Sequence, residues 1–305
     1  MQTRRALLVD AFATEPLSGN AAGVVPGRDS DPDPDLDDSQ MRAVARELAV
    51  SETAFVLPAE NADRRLRFFT PTREVDLCGH ATVAAHAHLH EDGVVDAGTH
   101  TVETNVGVLD VEIAEDGTVW MTQDAPTVET VDLDYDRAGE ALGIDPAALR
   151  DVGADLPAAV ASTGLPYLVV PVNFLERLGG AAPDFAALEA LADEYDAAGV
   201  YAFTFDALDA DSTLHGRMFA PGLGIPEDPV TGTASGACGA YLRHVDAFEG
   251  ELPEEMVFEQ GHFVDRPGRV RVRVGDEVRV GGRAVTSFDG SLAIPPAADD
   301  DILEA

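Results

Sequence analysis

RFFTPTREVDLCGHAT (67–82) and RMFAPGLGIPEDPVTGTA (217–234) are the two stretches on which the fold turns. They start 150 residues apart and match at the arginine, at the second aromatic and at the proline. Past a three-residue offset, Glu74 aligns with Glu227, Gly79 with Gly232 and Ala81 with Ala234. In each copy a strand ends at proline, a loop carries an acid, and glycine opens a helix. The repeat predicts two related halves whose glycine turns and helix N-termini face one another across an interdomain cleft.

Composition bounds what such a cleft can hold. The 305 residues are 45% hydrophobic and 25% charged, enough for two domains with real cores. All 20 basic residues are arginine, against 56 acids, for a net charge of −36. With no lysine there is no internal aldimine to pyridoxal phosphate, no Schiff-base aldolase and no P-loop lysine. So acidic a surface also excludes nucleic acid as a partner, because phosphates need basic clusters. It reads instead as a halophilic-type, solvated surface suited to a salty cytoplasm, where screening tames self-repulsion. Two cysteines, Cys78 and Cys238, make no disulfide framework and place the chain in a reducing, cytoplasmic compartment. Arg4 and Arg5 precede only four apolar residues before Asp10, too few for a signal peptide, and no apolar run is long enough to span a membrane.

Short β-like runs alternate with helical ones. Strands are expected at 6–9, 54–57, 66–69, 108–113, 119–121, 167–172, 200–205 and 270–274, and helices at 38–48, 81–89, 185–195 and 235–245. Residues 29–38 read as a charged, proline-punctuated loop ending in a helix N-cap, and 125–136 as a linker. The domains are therefore 1–125 and 126–295, with the last strand free to return to the first domain, followed by an acidic tail at 296–305.

The two turns carry the chemistry. Glycine lets the backbone approach a ligand, and each helix start offers unpaired N–H groups at the positive end of its dipole. Either turn alone is an ordinary loop-to-helix turn; two together make an anion site suited to a carboxylate. Glu52, in SETAFV (51–56), follows a helix and enters an apolar strand, where a partly buried carboxyl exchanges protons near neutrality. Taken by itself, Ser51 or Glu52 reads as a residue that caps or edges the strand.

VDAFATEPLSGNAAGVV (9–25), SETAFV (51–56), FFTPTREVDLCGHAT (68–82), EDPVTGTA (227–234) and QGHFVDRPGRV (260–270) resemble the PhzF-like isomerase family, named for phenazine biosynthesis, of the diaminopimelate-epimerase superfamily. The resemblance implies a mixed α/β fold of two pseudo-symmetric, diaminopimelate-epimerase-like domains, each a curled mixed sheet around a central helix. It implies a cleft active site, no cofactor, and a homodimer. Carried over motif by motif, Glu52 matches the catalytic glutamate, and His80 and Asp228 match its two polar partners. Asn20, Gly79 and Gly232 would line the substrate's anionic end beside Cys78, Thr231 and Thr233, the last standing where the family commonly has serine.

The superfamily's racemases use two cysteines. Cys78 stands at the first position, but the repeat puts Thr231 at the second, and Cys238 lies two helical turns further on, packed in the helix. A threonine hydroxyl is a poor base, so one-base transfer by Glu52 fits better. Cys78 is a helper or simply a small buried residue. The reading is a cofactor-independent isomerase or epimerase moving a proton on a small, amino-acid-like carboxylate. A metal-dependent hydrolase built on His80, His86, His88 and His90 is an alternative, although His88 points away from the His86–His90 face and no third zinc ligand is spaced for it; these histidines are expected on an exposed polar face, and no metal is expected. A non-catalytic small-molecule binder is the other alternative. His262 is equally a cleft or a packing residue, and Arg266 and Arg269 are expected in surface roles.

Overall fold

GHATVAAHAHLHE, the helix Gly79–Glu91, carries no acid or arginine until its last residue and is buried from Ala81 to Leu89. A helix without a polar face is stable only if it is enclosed, and its alanines let strands come close. In the computed structural model, which describes residues 2–27, 36–152 and 156–296, strands Gln2–Ala11, Ala284–Ile294, Thr53–Leu57 and Gly107–Ile113 all pack against it. The second repeat behaves alike. Helix Gly232–His244 is buried from Ala234 to Leu242 and packs against strands Ala159–Ser162, Pro166–Pro171, Gly268–Val274 and Val278–Gly282.

These two helices centre two compact units. One comprises Met1–Leu17, Ala21–Trp120 and Arg283–Ala305; the other comprises Ser18–Asn20 and Met121–Gly282. Within the first, Asn20–Val25 runs parallel to Thr53–Leu57, which is antiparallel to Arg64–Phe69. That strand is parallel to Gly98–Thr104, itself antiparallel to Gly107–Ile113. The parallel, antiparallel, parallel, antiparallel order recurs in the second unit through Pro166–Pro171, Gly199–Thr204, Leu214–Ala220, Met256–Gln260 and Gly268–Val274. Each second parallel pair is bridged by the central helix, as a parallel crossover requires. The fold is mixed α/β, with the same sheet-around-a-helix plan in each unit.

Every expected strand and helix is present, most within two residues of their ends; the first strand starts four residues earlier, at Gln2, and the second central helix three earlier, at Gly232. The chain's last described strand closes the first unit, pairing from Gln2↔Ile294 to Ala11↔Ala284. The linker reading of 125–136 is corrected. Thr127–Thr130 is a strand antiparallel to Ala159–Ser162, and helix Tyr135–Leu142 starts before the segment ends. The charged loop ends at Asp37, whose carboxylate accepts from Gln40 N in a capping box; its residues 28–35, and 297–305 of the acidic tail, lie outside the described residues.

The repeat extends to side chains. Arg67 Nε and Nη2 donate to Glu74 at 2.8 and 2.7 Å; Arg217 Nε and Nη2 donate to Glu227 at 2.8 and 2.7 Å. Each guanidinium sits over the aromatic two residues on, Phe69 at 5.1 Å and Phe219 at 5.0 Å. The aligned acids thus form bidentate pairs that pin each glycine turn to its strand.

Candidate active site

In the first unit, helix Asp38–Leu48 ends at Ala49 in the left-handed conformation (φ 56°), and the chain passes through Ser51 and Glu52 into strand Thr53–Leu57. Glu52 is held by its carbonyl, which accepts from Gly23 N at 2.9 Å. Gly23 is obligatory there, since a Cβ would lie 2.4 Å from Thr53 Oγ1.

The Glu52 carboxylate faces the start of the central helix. Its Oε2 is 3.6 Å from His80 Nε2, with side chains 20% and 12% exposed. Ser51 Oγ is 3.5 Å from the same nitrogen, and the other ring nitrogen, Nδ1, is 3.4 Å from Cys78 Sγ. Burial lowers the His80 pKa, partly opposed by Glu52, so the imidazole is neutral at pH 7 and able both to accept and to donate. Cys78 is the helix N-cap but supplies no side-chain cap, while its carbonyl takes both the Thr82 amide (3.0 Å) and hydroxyl (2.7 Å). A Cβ at Gly79 would meet nothing within 4 Å. The space over the helix start is open on that side.

The second unit repeats this with different side chains. Thr231 is the N-cap of Gly232–His244, again with no side-chain cap, and its carbonyl takes the Ser235 amide (3.0 Å) and hydroxyl (2.9 Å). Asp228 Oδ2 accepts from Thr231 Oγ1 at 2.5 Å, and Oδ1 accepts from Asn20 Nδ2 at 3.0 Å. Asn20 also donates to Val230 O at 2.9 Å. Thr233 Oγ1 shares a hydrogen bond of 2.8 Å with Tyr167, whose hydroxyl burial raises above its usual pKa. Thr231 donates its only hydroxyl proton to Asp228, so it serves the turn's geometry rather than acting as a second base.

The structure therefore gathers Glu52, Cys78, Gly79 and His80 in one unit, and Asn20, Asp228, Thr231, Gly232 and Thr233 in the other. It adds Ser51, Tyr167 and Gln260. Gln260 is 1% exposed; its Nε2 donates to Asp228 O (2.7 Å) and Thr231 Oγ1 (3.2 Å), and its Oε1 accepts from Thr231 N (3.3 Å). Its place in QGHFVDRPGRV is the one hint in the sequence, because nothing local ties position 260 to 228.

Two readings are corrected. His86 and His88 are not on an exposed face: both are 2% exposed. His86 Nδ1 bonds Thr82 O and His90 Nδ1 bonds Val95 O, so these two ring nitrogens hold the fold. Arg266 is no surface residue, since Nε and Nη2 donate to Gly19 O and Ser18 O at 2.9 and 2.6 Å, tying down the segment that carries Asn20. Arg269 does pair with an exposed acid, Asp209. Cys238 is fully buried, which raises its thiol pKa.

The family profile described as phenazine biosynthesis-like protein (PhzC-PhzF) matches residues 9–290. The chain belongs to this family. Its relatives include "Uncharacterized isomerase YfhB" of Bacillus subtilis, 36% identical over 296 residues covering 95% of this chain and 96% of that one. A crystal structure of a Bacillus anthracis phenazine biosynthesis protein of the PhzF family is 33% identical, with a TM-score of 0.86 over 96% of this chain and 100% of the other. A hydroxyproline epimerase from Agrobacterium vitis, 15% identical with a TM-score of 0.56 over 95% and 92%, shares the fold alone. No helix among the described residues is long and apolar enough to cross a membrane.

Proposed function

We propose that this PhzF-family isomerase moves a proton between carbons of a small, amino-acid-like carboxylate by general acid–base catalysis at Glu52, without a cofactor. The observation that supports this best is the Glu52 carboxylate 3.6 Å from a buried, neutral His80 at the start of an uncapped helix.

The chemistry follows from the parts. N–H groups of the helix start bind the substrate carboxylate and stabilise charge that develops when the adjacent carbon loses its proton. Glu52 takes that proton, the C–H electron pair moves into the neighbouring unsaturated system, and the Glu52 carboxyl, open to exchange with solvent, returns a proton to another carbon. His80 holds the carboxyl in place and, with two usable ring nitrogens, tolerates either protonation state of Glu52. General acid–base catalysis of this kind contributes about 10²–10⁴-fold. In the second unit, Asp228 is fixed by Asn20, Thr231 and the Gln260 scaffold, and Thr233 carries a hydroxyl on the same turn; these are that unit's candidate substrate-orienting groups. The relatives' isomerase names support the reaction class, and the lack of a second cysteine at Thr231 supports one base over two.

The test is a screen of small amino-acid-like carboxylates in deuterated water, read by proton NMR for rearrangement or loss of a carbon-bound hydrogen. Wild type should convert at least one compound, and Glu52→Gln should convert none at a detectable rate. Conversion by Glu52→Gln at the wild-type rate refutes the assignment.

A further inference from the structure

The geometry points to a second property of the same corner of the first unit: Glu52, Cys78 and His80 form a three-ligand site for one zinc-class divalent ion, whose capture shuts the proton shuttle off. The metal site rests on geometry alone; that its capture silences the shuttle rests on the isomerase reading. One ligand atom from each of the three residues, a carboxylate oxygen, a thiol sulfur and an imidazole nitrogen, lies within 4.8 Å of the other two. Zinc bonds of about 2.0–2.3 Å in a tetrahedron set ligand–ligand separations of about 3.4–3.6 Å. Cys78 Sγ is already 3.4 Å from one ring nitrogen and Glu52 Oε2 is 3.6 Å from the other. A single nitrogen binds the ion, so the ligand on the far side of the ring must close in on it, from within 4.8 Å toward the tetrahedral separation.

The donor set selects the ion. Nitrogen, sulfur and oxygen together suit zinc and its tetrahedral substitute cobalt(II), whereas magnesium and calcium take oxygen ligands. The many surface carboxylates bind divalent ions only through oxygen, and Cys238 is buried in the second unit's central helix. Cys78 is therefore the thiol able to give a metal–thiolate signal. The positive end of the helix repels a lone cation, which makes the two anionic ligands, thiolate and carboxylate, necessary rather than incidental. Three protein ligands leave a fourth position open to water, as in zinc sites that are not purely structural. Coordination takes the Glu52 oxygen and one His80 nitrogen out of proton transfer, while the imidazole keeps the N–H on its other nitrogen.

The experiment uses the full chain and cobalt(II) in high-salt buffer with excess magnesium to saturate the acidic surface. We expect one ion per chain, a thiolate-to-cobalt charge-transfer band in the near ultraviolet and intense tetrahedral d–d bands, both displaced by zinc. Cys78→Ser should remove the charge-transfer band. Glu52→Gln should weaken binding by at least about tenfold, the lower end of what disturbing even an outer ligand shell costs. Zinc should also protect Cys78 in the wild type from alkylation, read by mass spectrometry with Cys238 as the internal reference. Octahedral spectra alone, a charge-transfer band that survives Cys78→Ser, or alkylation unaffected by zinc would each overturn the site. None of these readouts needs a substrate, so failure of the metal site and failure of the isomerase reading are separate results.

Discussion

Replacing His86 with asparagine should flatten the acid side of the stability profile between about pH 6.5 and pH 4. His86 lies inside the first central helix, and burial lowers its pKa from 6.5 to about 4, against the smaller opposing effect of its hydrogen bond to Thr82 O. Between those values the unfolded chain carries a proton on this ring that the folded chain refuses. Stability therefore falls as pH drops through the window and is complete above 6.5. A difference of about 2.5 pH units at 1.36 kcal/mol each makes the loss about 3 kcal/mol by pH 4. Asparagine keeps an N–H for Thr82 O and removes the titration; the smaller volume costs stability equally at every pH. Urea unfolding followed by circular dichroism at half-unit steps from pH 7.5 to pH 4 gives both profiles. The wild-type minus variant difference should shrink by about 3 kcal/mol toward pH 4. A pH-independent difference would show that His86 is not held neutral by burial and would refute the reasoning.

The repeated arginine pairs should differ in strength with their burial. Arg217 is 6% exposed and also donates to Leu178 O and Ala181 O, whereas Arg67 is 17% exposed and reaches solvent-facing Asp38. Arg217→Met should cost about 3–5 kcal/mol, the usual penalty for orphaning a buried partner, and Arg67→Met about 1–2; equal urea midpoints would contradict this. Gln260→Leu removes three hydrogen bonds from the Asp228–Thr231 turn and should cost about 2 kcal/mol; an unchanged midpoint would show the turn stands without it. At a net charge of −36, thermal stability should rise steeply as potassium chloride goes from 0.1 M to about 1 M, where the screening length falls from about 10 to 3 Å. A melting temperature indifferent to salt would remove the halophilic reading.

The strand–proline–glycine–helix repeat was legible because it is local: each copy fits in a window under twenty residues and uses residues with fixed backbone meanings. Glu52 and His80 each lie beside a helix boundary, but only motif likeness singled them out, and the 3.6 Å approach of their side chains had to be seen. The pairing of Ala284–Ile294 with Gln2–Ala11 spans nearly the whole chain and has no local signature. The strand Thr127–Thr130 hid in an acidic, turn-rich stretch and is identified by its partner rather than by its composition. Placing His86 and His88 on a polar face let the chain's overall charge outweigh a local fact. From Gly79 to His90 there is no acid or arginine, and a helix apolar on every side is a buried one. Asn20 and Asp228 are 208 positions apart, so only motif likeness pointed to both, and their hydrogen bond had to be seen.

The most direct measurement of the central claim is solvent deuterium entry into carbon positions of a converted carboxylate, compared between wild type and Glu52→Gln at matched fold stability. The account expects deuterium or rearranged product from the wild type and neither from the variant. Undiminished hydrogen transfer with the carboxyl at position 52 gone would contradict it.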